Sequence, residues 1–203
     1  YVNRIAFENP TTRESLMKTG PRLTEAAAQI LPGEAVDVIA YGCTAASIVL
    51  GDGKVAEYLQ AAKPDTPVVT PSSAAIDAFA SLGAKRISVL TPYTPSVTDD
   101  LAEYFSASGP EVISATCFGL DDDREMARIS ESAIIDGGIA ALAPEADALF
   151  LSCTGLRAAV CAERIEAKTG KPVITSNQAM AWRCLRHAGR KGPQRGFGQI
   201  FQH

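Results

Sequence analysis

One stretch of this chain occurs twice. Asp37-Val38-Ile39-Ala40-Tyr41-Gly42-Cys43-Thr44-Ala45 has a partner in Asp147-Ala148-Leu149-Phe150-Leu151-Ser152-Cys153-Thr154-Gly155. Each copy opens on Asp, crosses a short apolar segment and places Cys-Thr at the same distance from that Asp. A second echo follows each: Pro67-Val68-Val69-Thr70-Pro71-Ser72 and Pro172-Val173-Ile174-Thr175-Ser176-Asn177. The cysteines are 110 positions apart and the prolines 105, so the chain reads as two related halves that differ by a five-residue loop change. Repetition at a fixed offset constrains the fold more tightly than any local pattern.

Each copy reads as a buried parallel strand, because its apolar run is too short for a helix and suits a sheet covered on both faces. The segments after Cys-Thr, Ala45 to Leu50 and Leu156 to Ala167, are helix-compatible. Each cysteine therefore sits where a strand ends and a helix begins, the edge at which open α/β sheets bind ligands. Unpaired backbone N–H groups there favour a thiolate and attract an anion. The expected architecture is an α/β fold of two duplicated halves, each a small parallel sheet flanked by helices, with an active site in the cleft between them. Residues 1–82 with 180–203 would form the first half and 83–179 the second.

Alternation continues through the rest of the chain. A helix is expected from about Glu14 to Leu31, ended by Pro32-Gly33, and another from Lys54 to Ala62. A strand at Val68 to Thr70 leads to a helix from Ser72 to Leu82, closed by Gly83. In the second half, strands at Arg86–Leu90 and Val112–Phe118 flank a helix near Thr98 to Ala107. A helix then reaches about Ala143 with Gly137-Gly138 as a weak spot, and the strand Val173 to Thr175 precedes a helix from Gln178 to His187 and a Gly-rich tail. The opening Tyr1-Val2-Asn3-Arg4-Ile5-Ala6-Phe7 looks like a strand, the equivalent of Val112–Phe118. By that comparison the first strand and helix of the first half are expected upstream of Tyr1. Gly51-Asp52-Gly53 and the tail are candidate mobile segments.

Composition excludes several functions. A formal charge of −4 and no basic run argue against a nucleic-acid or acidic-membrane surface. No apolar stretch approaches membrane-spanning length. The five cysteines, Cys43, Cys117, Cys153, Cys161 and Cys184, are odd in number and form no Cys-x-x-Cys pair, against a disulfide framework or a zinc site and in keeping with a reducing cytoplasm. With only His187 and His203 present, a Cys-His dyad has few candidates.

Two Cys-Thr motifs at equivalent strand ends, with Thr91-Pro92-Tyr93 between them, resemble the aspartate/glutamate racemase superfamily. Within it, the chain is most similar to the maleate cis-trans isomerase and arylmalonate decarboxylase branch, including relatives of ectoine utilisation. The likeness runs from Arg4 to about Gly189. It implies chemistry without cofactor or metal at a carbon next to a carboxylate, with the two cysteines facing each other across the cleft and a small carboxylate or dicarboxylate as substrate. The decarboxylases of this branch keep only the second cysteine, so two cysteines disfavour decarboxylation. Dimers are common for this architecture.

The chemistry calls for the same groups. A proton next to a carboxylate is weakly acidic, and removing it needs a poised base and donors for the developing enediolate. Two cysteines, one thiolate and one thiol, serve a racemase symmetrically. In a cis-trans isomerase one thiolate instead adds to the double bond, the central bond rotates, and elimination follows. Cys43 and Cys153 are thus the candidate catalytic residues, with Thr44, Ala45, Thr154 and Gly155 offering backbone amides and hydroxyls. Tyr93 and Asn177 are further candidate substrate contacts, set against a buried loop ring and a helix cap. Cys117, Cys161 and Cys184 lack matched partners and read as packing, Asp37 and Asp147 as turn residues, and Asp121 to Asp123 as a solvated capping loop, although the resemblance implies that a polar residue near here approaches the substrate. A non-catalytic carboxylate-binding protein stays open beside the enzyme, though an anion needs amides and not two sulfurs.

Overall fold

A computed structural model describes residues 1–202; His203 lies outside them. Two short helices, α1 (Arg13–Met17) and α2 (Leu23–Ala28), lead to β1 (Ile39–Ala40), α3 (Thr44–Leu50), α4 (Asp52–Gln60), β2 (Val68–Val69) and α5 (Pro71–Leu82). The second half runs β3 (Arg86–Thr91), α6 (Pro95–Ser108), β4 (Glu111–Cys117), α7 (Asp123–Met126) and α8 (Glu131–Ala141). It continues through β5 (Ala148–Leu151), α9 (Ala162–Thr169), β6 (Val173–Thr175) and α10 (Ser176–His187). All strand pairings are parallel: β1 with β2 in one sheet, and the order β4-β3-β5-β6 in the other.

The duplication is visible in the register. Ile39 pairs with Val68 and Ala40 with Val69, while Leu149 pairs with Val173 and Phe150 with Ile174. Those pairings are related by the offsets that separate the sequence echoes. The helices after β2 and β6 begin alike: Thr70 Oγ1 accepts from Ser73 N–H and Thr175 Oγ1 from Gln178 N–H, both at 3.2 Å, which satisfies one orphan donor in each first turn. Pro71 at the start of α5 loses no intrahelical bond, and Gly83 ends that helix in the left-handed conformation at φ 67°.

The two halves share a core. Phe79 of α5, Phe105 of α6 and Phe150 of β5 meet edge to face, with ring centroids 5.0 to 6.1 Å apart. Helix α5 packs on β6, and α10 packs on β6 as well as on β1 and β2, so these helices bridge the two sheets. An Arg183–Asp77 ion pair at 3.0 Å joins α10 to α5.

Several expected elements differ. Residues 1–7 form no strand: β4 is held by β3 beside it, whereas β1 pairs with β2 alone, and the opening segment has no ladder to join. The helix expected from Glu14 to Leu31 is broken at Gly20-Pro21, where a 3-10 turn intervenes. Pro21 has no N–H to continue the ladder, and a Cβ on Gly20 would stand 2.9 Å from Leu50. The helix expected from Leu156 starts only at Ala162, after turns, and the one reaching Ala143 is split into α7 and α8 by a fresh cap, Ser130 Oγ accepting from Ala133 N–H at 3.2 Å. Helix α4 begins at Asp52 instead of Lys54, and neither candidate mobile segment is unattached. The Asp52 carboxylate accepts from Ser72 Oγ at 3.0 Å and from the Thr70 and Tyr104 hydroxyls. In the tail, Gln199 N–H donates to the buried Glu166 carboxylate at 3.1 and 3.2 Å.

Candidate active site

Cys43 caps the start of α3 in extended conformation, and Cys153 follows β5 with φ 89°. A non-glycine residue in that region costs about 1–3 kcal/mol and persists only where its surroundings impose it. Both cysteines line one cavity of about 960 Å³, together with Tyr93, Thr154, Gly155 and Asn177. Thr44 also reaches this cavity, while Ala45 is buried in the first turn of α3 with its methyl in the core, so its N–H is what it offers.

The two motifs brace each other. Thr154 Oγ1 donates to Gly42 O at 2.7 Å, from the second motif to the first. Thr44 Oγ1 donates to Ser176 Oγ at 2.8 Å, and Ser176 Oγ in turn accepts from Cys153 N–H at 3.1 Å. Asn177 Nδ2 donates to Thr154 O at 3.0 Å. The hydroxyl protons of both threonines are thereby committed to protein acceptors, so these side chains fix the distance between the halves and leave anion binding to backbone N–H groups. No spacing signal marks Ser176 for this role, because its partners lie 23 and 132 positions away. Tyr41, which reads in the sequence as part of an apolar run, lines the cavity and donates to Thr19 Oγ1 at 2.9 Å.

Burial dominates the electrostatics. It pushes the Cys43 thiol up to about 11, with Cys153 adding to the rise and the Ala46 N–H opposing it. Burial also raises Cys153, against which act the Tyr93 hydroxyl and the N–H groups of Gly155 and Leu156. Tyr93 itself is held well above the ordinary phenol value by burial and by the two sulfurs, so it stands ready as a neutral donor. Among the remaining cysteines, Cys161 is buried in a separate apolar cluster and Cys184 lies on the cavity wall. Asp147 ties the starts of β3 and β5 by accepting from Arg86 N–H at 2.8 Å and Lys85 N–H at 3.0 Å. Among the described residues, no group of three or more His, Cys, Asp or Glu could hold a metal ion, and no helix is long and apolar enough to cross a membrane.

Fold and site define a duplicated α/β protein in which each half brings one strand-end cysteine to a shared cleft. The arylmalonate decarboxylase family model matches residues 15–201, and the chain belongs to that family. It is 29% identical to an arylmalonate decarboxylase of Bordetella bronchiseptica over 138 residues, 66% of this chain and 58% of that protein. It is 31% identical to a maleate isomerase of Pseudomonas putida over 160 residues, 74% of this chain and 64% of that protein. The matches thus span about three fifths of the length of these curated relatives. A crystal structure of a Pseudomonas putida maleate isomerase with maleate superposes at a TM-score of 0.83 and 26% identity, covering 98% of this chain and 82% of that one.

Proposed function

We propose that this chain carries a cofactor-independent two-cysteine isomerase acting next to a carboxylate, most like a maleate cis-trans isomerase. The observation that supports this reading best is the pair of cysteines at duplicated strand ends lining one cavity. In the proposed reaction one sulfur, as thiolate, bonds to an alkene carbon of a bound cis acid. The double-bond electron pair moves onto the adjacent carboxylate as an enediolate, which the other cysteine as a neutral thiol donor, the backbone N–H groups of residues 44–45 and 154–155 and the Tyr93 hydroxyl stabilise. The central bond, now single, rotates. The electron pair returns, the carbon–sulfur bond breaks, and the trans acid leaves with the thiolate regenerated, so no proton is gained or lost overall.

Both thiols lie above their ordinary value, so the reactive thiolate is a minor species at neutral pH. The expected consequence is a kcat/KM that climbs with pH above neutrality. Incubation of a cis acid in deuterated water tests the reading: trans product without solvent deuterium is expected, and loss of turnover in Cys43→Ala and in Cys153→Ala. Substantial activity in either variant would rule out the two-thiol mechanism. The near-equivalent placement of the thiols also supports a second reading, two-base racemisation of an amino acid, whose mark would be α-deuterium in recovered aspartate or glutamate.

A further inference from the structure

The wall of the cleft away from the cysteine motifs is built by two segments that meet only in the fold. Thr11 N–H donates to Asp121 O at 2.7 Å, and Asp123 N–H donates to Asn9 Oδ1 at 3.1 Å. These bonds join residues 9–11 and 121–123 into one strip, from which Thr11 and Asp123 both line the cavity that holds the thiols. Thr11 is 6% exposed, and its Oγ1 has no hydrogen-bond partner. A buried hydroxyl left unpaired is unfavourable, and a ligand atom in the cleft would relieve it.

The charge that this strip itself presents to the cavity is the Asp123 carboxylate. Among the described residues that line the cavity, the basic side chain is Arg4 of the opening segment, against the acidic Asp37 and Asp123. Arg124, next to Asp123, is turned to Asp122, to which its Nε donates at 2.9 and 3.2 Å. Burial is the main reason both thiols sit high, and the Asp123 carboxylate adds to the rise at each, so its charge is felt where the reaction would occur. A second carboxylate on the substrate would meet a like charge here. An ionised carboxylate accepts hydrogen bonds and donates none, whereas a threonine hydroxyl can donate. An acceptor and a donor carried on one strip match the two ends of a primary amide.

We propose that Thr11 and Asp123 select a substrate whose end remote from the reacting carbon is a primary carboxamide, as in maleamate, in place of a second carboxylate. The amide N–H donates to the Asp123 carboxylate, and the amide oxygen accepts from the Thr11 hydroxyl. The remaining carboxylate meets the backbone N–H groups of the cysteine motifs, with the alkene between the sulfurs. The inference rests on the isomerase reading and names the substrate class for it. The bond changes are those already described, from the cis to the trans acid amide.

Two measurements separate this inference from the reading beneath it. Succinamate and succinate are saturated and cannot isomerise, so their protection of the thiols against iodoacetamide reports binding alone; kcat/KM for maleamate and maleate reports turnover. Succinamate is expected to protect the wild-type protein at about 10-fold lower concentration than succinate, because a like charge faces the diacid. Asp123→Asn, which can offer an N–H to a carboxylate, should reverse that order, and Thr11→Val should weaken protection by succinamate. Better protection by succinate in the wild type, an unchanged ratio in Asp123→Asn, or no protection by either compound overturns the inference. Amide preference in the protection assay without isomerisation of either unsaturated acid upholds the selection by Thr11 and Asp123 and removes the isomerase reading instead.

Discussion

Cys43 and Cys153 hold matched places in the two halves but different backbone conformations. Cys43 is extended, at φ −141°, while Cys153 sits at φ 89°, where glycine would be at ease and a side chain is strained. Its position is over-determined by Ser176, which accepts from its N–H, and by the parallel strand that delivers it. The strain therefore belongs to the site and can be separated from the thiol by substitution. Cys153→Gly should remove turnover and at the same time leave the protein as stable as the wild type or up to about 1 kcal/mol more stable, the relief of strain being partly offset by the freer unfolded chain. Cys153→Ala should remove turnover without that gain. Urea midpoints for the three proteins check the ordering, and a Cys153→Gly variant clearly less stable than Cys153→Ala would mean the left-handed backbone carries no strain.

At the scale of elements, glycines that look alike in the sequence do opposite things. Gly137-Gly138 reads as a soft spot in a helix, yet a Cβ on Gly138 would stand 2.9 Å from Ile165 Cδ1 and 3.3 Å from Leu149 Cδ2, in a layer where both neighbours are fully buried. The glycine lets α8 approach α9 and the sheet. Gly138→Ala should lower stability by about 1 kcal/mol, because overpacking of about 1–3 kcal/mol exceeds a propensity gain of about 1 kcal/mol. Gly53, in α4 with nothing within 4 Å of its Cβ position, should tolerate alanine with no loss; denaturant midpoints of the pair test the contrast. Strands β1, β2, β5 and β6 are readable from the sequence because each is specified by local residues and written twice, whereas the caps of α5 and α10 fall on Thr70 and Thr175 and not on Asn177, which lies inside the first turn of α10 and donates to Thr154 O instead. The break at Gly20-Pro21 is hidden in the sequence because the leucine and alanine spacing continues through it. The Thr44–Ser176 and Thr154–Gly42 braces, and the strip joining Thr11 to Asp121, were not readable at all, since they link residues more than 100 positions apart that carry no spacing signal.

On the scale of the whole molecule, the halves are fastened by the shared phenylalanine cluster, by the bridging packing of α5 and α10, and by the hydrogen bonds that tie one cysteine motif to the other. The cleft is part of that fastening, so the ionisation that would activate it also acts on the fold. Burial raises the Cys43 thiol from 9.0 to about 11 and raises Tyr41 further above its ordinary phenol value. A group whose folded pKa exceeds its unfolded one contributes stability that is fully present below the unfolded value and is lost as pH climbs through the folded value. For Cys43 that window runs from about pH 9 to 11, and the shift corresponds to something on the order of 3 kcal/mol. Cys153 and Tyr41 act in the same sense, the tyrosine from its ordinary 10.0 upward. Stability should accordingly be flat from pH 7 to about 9 and fall steeply above it, while turnover through the thiolate climbs over the same range, so that the activity maximum is set on its alkaline side by unfolding. Urea midpoints at pH 7, 9 and 10.5 measure the decline. In Cys43→Ala the loss between pH 9 and 10.5 should be smaller than in the wild type, and an identical slope in the two proteins would show that the buried thiol contributes nothing to it.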